Sequence, residues 1–143
     1  MKLLSIKNTI LSFLAVAGST IAWLLGGWNS ALQALVIFMA LDLVSGLAVA
    51  LVFKKSTKTE TGAAESNACF KGIIRKVAIL IAVIFAVQLD QMMGSAQLCR
   101  TAVIFFFLGN EGLSIVENLG LMGVPMPQAV INALEVLRNK ENK

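Results

Sequence analysis

"ALQALVIFMALDLVSGLAVALVF", residues 31–53, decides the class of this chain. A helix that crosses a bilayer needs about 20 consecutive, mostly apolar residues. This stretch has that length, and its one ionisable group, Asp42, falls near its middle. Lipid offers no water to backbone N–H and C=O groups, so the stretch must satisfy its own hydrogen bonds as a helix. A carboxylate at that depth is costly, by about 3 kcal/mol or more when alone. Asp42 must therefore be protonated, paired or wet.

Working outward, three further stretches read as spans. The expected set is 8–28, 31–53, 73–93 and 98–122. Trp23 and Trp28 suit the far interface of the first. The third is expected to begin with Arg75 and Lys76 snorkelling to the near surface. Composition agrees. The 143 residues are 57% hydrophobic and 14% charged, where soluble domains carry about a quarter charged residues. The expected fold is an all-α integral membrane protein with about four transmembrane helices.

The net charge of +4 points to orientation and anionic lipid, not to nucleic acid. Eleven of the 12 Lys and Arg fall on one side of this topology, among them Lys2, Lys7, Lys54, Lys55, Lys58, Lys71 and Lys143; only Arg100 lies near the other. Both termini are therefore expected inside. A transmembrane domain of 1–124, with a cytoplasmic loop at 54–72 read as a flexible linker, precedes a cytoplasmic tail at 125–143. In that tail Val130, Ile131, Leu134 and Leu137 recur at helical spacing, which predicts a short amphipathic helix. The N-terminus has the positive start and apolar middle of a signal peptide. The apolar run continues through Trp23, Leu24 and Leu25, so it is expected to stay as a span.

Catalytic chemistry finds no foothold. There is no His, no Gly-rich phosphate loop and no nucleophile–base pair. Cys69 and Cys99 fall on opposite sides of the expected topology, and no metal-ligand spacing occurs. The expectation is a non-enzyme without cofactor or metal.

The fourth span is amphipathic inside the membrane. With Asn110 at zero on an ideal helix, Glu117, Ser114, Asn118 and Glu111 fall at about −20°, 40°, 80° and 100°. Arg100 extrapolates onto the same arc. These residues and Asp42 are the candidate pore or switch face. Three readings stand for Asp42 and Glu111: neutral structural groups, a proton or cation relay, or groups that become wet when helices part. Small residues mark candidate packing faces: Gly18, Ala22 and Gly26 in the first span, Gly46 and Ala50 in the second. They serve intramolecular packing or self-association.

"DLVSG" (Asp42, Gly46), the basic loop, "FKGIIRK" (Gly72, Arg75, Lys76) and "NEGLSIVENLGLMGVPMP" (Asn110 to Pro127) together resemble the bacteriophage holins, the family that also includes clostridial toxin-release holins. The likeness runs from about Asp42 to Leu137. The inner loop departs from the family pattern, being longer and lacking a clean S-x-x-G-x-x-G lead-in. The resemblance implies a homo-oligomer in the bacterial inner membrane. It implies lesions that let a cytoplasmic cell-wall hydrolase (endolysin) or a toxin leave, followed by host cell lysis. A non-conducting membrane scaffold and a small proton-coupled transporter are the alternative readings.

Overall fold

The computed structural model describes residues 2–63 and 65–139. They form five α-helices: α1 (Lys2–Leu24), α2 (Ser30–Ala48), α3 (Ser66–Met93), α4 (Leu98–Leu121) and α5 (Gln128–Asn139). A π-helical turn, Val49–Phe53, continues α2. The all-helical expectation is met: four helices are long and apolar enough to cross a membrane, and a fifth follows them.

Local chemistry places the breaks. Gly26 and Gly27, at φ 79° and 94°, end α1 in the left-handed region that glycine tolerates. The Asn29 side chain then caps α2 by accepting the Leu32 N–H at 2.9 Å. Gly94, at φ 66°, closes α3. The next helix is capped from a distance. The Asp90 carboxylate accepts the N–H groups of Cys99 at 2.9 Å and Arg100 at 2.8 Å, two of the orphan donors at the start of α4. Ser95 Oγ donates to the same carboxylate at 2.5 Å, which ties the α3–α4 turn.

Two differences from the sequence expectation matter for the site. Helix α3 begins at Ser66, seven residues before the expected span, so Lys76 lies well inside the helix. The loop before it also closes on itself. Ser56 N–H donates to Gly62 O at 2.9 Å, and Thr59 Oγ1 to Ala63 O at 2.9 Å.

Helix α4 is the centre of the bundle, packed against α2, α3 and α5. Leu32, Leu35 and Met39 of α2, Ile79 and Val83 of α3, and Ile104 and Leu108 of α4 form the apolar core, with Leu25 closing it. On the opposite flank of α4, two glycines admit α5. A Cβ at Gly109 would lie 2.6 Å from the Arg138 backbone N and 2.7 Å from Leu134 O; one at Gly112 would enter the Leu134 side chain. The sequence G-x-x-G thus makes a backbone-to-backbone contact. Helix α5 turns back along α4 through Gly123 (φ 84°) and the "VPMP" corner. Helix α1 is different: it has no buried residue.

Gly109→Leu is expected to detach α5. Hydrogen exchange of the 129–138 amides should accelerate at least about tenfold, with the α2–α4 core unchanged; unaltered α5 protection would contradict this packing.

Candidate functional site

Three helices each contribute one charge to a single point. Asp42 comes from α2, Lys76 from α3 and Glu111 from α4. Lys76 Nζ donates to Asp42 Oδ2 at 2.5 Å and also to Glu111 Oε2. Asn118 of α4 extends the cluster. Its Nδ2 donates to Ser45 Oγ at 2.9 Å and to Asp42 Oδ1 at 3.3 Å. Ser114 lies beside the same carboxylate. Asp42, Glu111 and Asn118 are all buried, Glu111 most completely at 2% exposure. At 1.5 Å per residue, Asp42 and Glu111 lie roughly 20 Å below the start of their helices, within a hydrocarbon core about 30 Å thick.

A lone ion at this depth would lose several kcal/mol of hydration, and attraction recovers that only with close geometry and further hydrogen bonds. The cluster meets both conditions. Among the described residues, no buried side-chain N or O lacks a hydrogen-bond partner. The charges do not cancel: two carboxylates face one ammonium, so the fully ionised cluster keeps one negative charge. It is the place in the bundle most sensitive to losing Lys76.

Lys76 corrects the sequence reading. It does not snorkel to the surface; its stem turns into the bundle, because two carboxylates without another cation wait there. Arg75, one step round the helix, stays exposed.

The candidate face on α4 divides. Glu111, Ser114 and Asn118, at about 40–100° on the helix, face the cluster. Asn110, at the arc's edge, is half-buried, Glu117 is exposed, and neither joins the cluster. Arg100 belongs to a second polar centre at the other end of α4. It is 1% exposed. Its Nε donates to Leu25 O at 2.6 Å, its Nη2 to Gly27 O at 2.7 Å, and its Nη1 to Gln97 Oε1 at 3.2 Å. The guanidinium therefore binds two carbonyls of the turn that follows α1 and holds that turn against α4. Asp90 meets Arg100 through the backbone, by accepting its N–H.

The small residues also divide. A Cβ at Gly26 would lie 2.8 Å from Arg100 Nε and 2.9 Å from Val87 Cγ2, so this glycine makes room for the arginine. Gly46 lies under Asn118, 3.7 Å from its Nδ2 to an added Cβ, and Ala50 is buried. Ala22 is half-buried, and Gly18 has nothing within 4 Å. Sequence reasoning missed Lys76, Gly109 and Gly112. The pairing of Lys76 was open to charge counting, since two intramembrane acids need a cation. The two glycines carried a small-x-x-small signal.

Comparison with known proteins fits this architecture. The bacteriophage holin family matches residues 19–139, and the chain belongs to that family. It is 35% identical over 126 residues to a protein of Clostridium perfringens, covering 87% of each chain. It is 36% identical over 138 residues to one of Listeria monocytogenes, covering 96% of this chain and 90% of that one. A probable holin of Bacillus phage phi105 is 28% identical over 112 residues, 78% of this chain and 77% of its own. No solved structure matches. The family points to a multi-pass, non-enzymatic membrane protein.

Lys76→Met is expected to destabilise the detergent-solubilised chain by about 3–5 kcal/mol, because it leaves two buried carboxylates facing each other. Asp42→Asn with Glu111→Gln in the same chain should restore most of that loss. Equal thermal stability of wild type and Lys76→Met would remove the cluster from the account.

Proposed function

We propose that the chain is a lesion-forming holin of the bacterial inner membrane, oriented with its N-terminus and the loop before α3 in the cytoplasm. In this reading copies accumulate in the dispersed, closed state and then assemble. The Asp42–Lys76–Glu111–Asn118 contacts separate on assembly, and the freed polar face of α4 turns to water. The hole releases a cytoplasmic cell-wall hydrolase, or in related settings a toxin.

The observation that carries this reading is the self-contained ion cluster in a chain of the holin family. A bundle whose polar groups all bond to one another can rest in lipid. The same groups become the lining of a hole once an assembly offers water instead. A second observation supports assembly. Helix α1 leaves its length uncovered, and three of its hydroxyls bond to their own helix: Thr9 to Ser5 O at 3.0 Å, Ser19 to Ala15 O at 2.6 Å, Thr20 to Val16 O at 2.8 Å. Such hydroxyls need no outside partner in lipid. The helix is thus free to meet lipid or another copy through Gly18 and its neighbours.

Induction in a bacterium that holds a cytoplasmic muralytic enzyme tests the proposal, with turbidity and membrane potential followed together. Depolarisation and lysis should coincide at a reproducible time. Gly18→Leu should delay lysis by hindering α1 association, and Glu111→Gln should shift onset at equal membrane levels. Normal potential and continued growth at high expression would favour a non-conducting scaffold. Substrate-stimulated proton flux without lysis would favour a transporter.

A further inference from the structure

Helices α2 and α3 meet at the ion cluster and then part toward the end that carries the inner loop. The space between them is a cleft of about 250 Å³. Its walls are largely apolar, with Leu43 and Leu47 from α2 and Ala68 from α3. Its mouth carries Lys58 from the loop and Lys71 and Arg75 from α3, against one acid, Glu65. The three cations are exposed, and none makes an ion pair among the described residues. The cleft is open on its α3 side: a Cβ at Gly72 would meet nothing within 4 Å.

We infer that this cleft binds one anionic phospholipid, its phosphate on Lys58, Lys71 and Arg75 and the start of an acyl chain between α2 and α3. The two halves of the cleft match the two halves of such a lipid. A soluble anion has no use for apolar walls, and a neutral lipid has no use for three unpaired cations. Basic pockets between membrane helices on the cytoplasmic side suit anionic headgroups. The floor sets the depth. Asp42 and Lys76 close the cleft, and their cluster has a negative excess, so the phosphate stays at the rim while the apolar chain occupies the wall region. The volume holds a headgroup and the first methylenes, and the rest of the lipid remains in the bilayer. This inference does not depend on lesion formation, since it concerns the closed chain.

Retention of lipid by the full chain tests it. The protein is reconstituted in vesicles of equal phosphatidylglycerol and phosphatidylcholine, extracted in mild detergent, and its bound lipid is counted by native mass spectrometry. The wild type should keep phosphatidylglycerol in preference to phosphatidylcholine. Each basic residue near an anionic surface is worth roughly fivefold in affinity, so Lys58→Gln, Lys71→Gln and Arg75→Gln together should cut that preference on the order of 100-fold. Lys54→Gln with Lys55→Gln removes charge from the same end without touching the cleft and should leave retention intact. Gly72→Leu fills the cleft while keeping every charge and should abolish retention. Circular dichroism confirms that each variant is folded. Unchanged retention in the triple variant, or equal loss in the Lys54/Lys55 control, would overturn the inference. So would a lipid-free dimer in which Gly72→Cys crosslinks to a neighbouring copy, because a second chain would then occupy the cleft.

Discussion

Two carboxylates with one ammonium between them govern this bundle. Asp42 and Glu111 sit where water is scarce, on helices that would otherwise be held only by apolar packing. In lipid that packing has little hydrophobic drive behind it, because acyl chains solvate leucine as well as leucine does. The contact of Lys76 with both acids therefore does more than neutralise charge. It fixes α2, α3 and α4 in one arrangement, and Asn118 adds a second tie from α4 to α2 through Ser45 and Asp42. Separation of any two of these helices would strand an ion unless water or another polar partner takes its place.

The remaining structure serves the same demand. Arg100 is buried at the opposite end and bonds to two carbonyls of the turn after α1, while Asp90 caps α4 from α3. The two polar centres lie at different depths on α4 with an apolar core between them. One fixes the turn between α1 and α2, and the other fixes the packing of the bundle. Helix α5, resting on Gly109 and Gly112, covers the flank of α4 turned away from the cluster. Helix α1 is the exception: only its end is held, at Leu25 and Gly26, and its length has no buried residue.

Much of this was legible in the sequence. The four long apolar runs, the amphipathic last helix and the cost of Asp42 and Glu111 follow from lipid acting as solvent. The pairing was less legible. The Ser/Thr/Gly-rich loop hid the true start of α3, so Lys76 looked like a surface residue at a helix end. With the helix beginning at Ser66, Lys76 is ten residues inside it. The polar arc on α4 is broader than the ion cluster. Helical angle alone groups Asn110 and Glu117 with Glu111, but the cluster takes only the side that faces α2 and α3. The α5 contact depends on two glycines being opposed by backbone, which spacing can hint at and only packing reveals.

The central claim is that α2 and α4 are held together by this cluster when closed and must part for the membrane to open. A reversible lock between them tests it most directly. Ser45→Cys and Asn118→Cys, in a chain with Cys69→Ser and Cys99→Ser, place thiols where a 2.9 Å side-chain hydrogen bond now joins the two helices. The variant is reconstituted in dye-loaded vesicles after joining with a short, reducible thiol crosslinker. The account predicts that the locked chain inserts and retains dye, and that dithiothreitol restores leakage to the level of the uncrosslinked variant. Equal leakage from locked and reduced chains, at equal protein per vesicle, would contradict it.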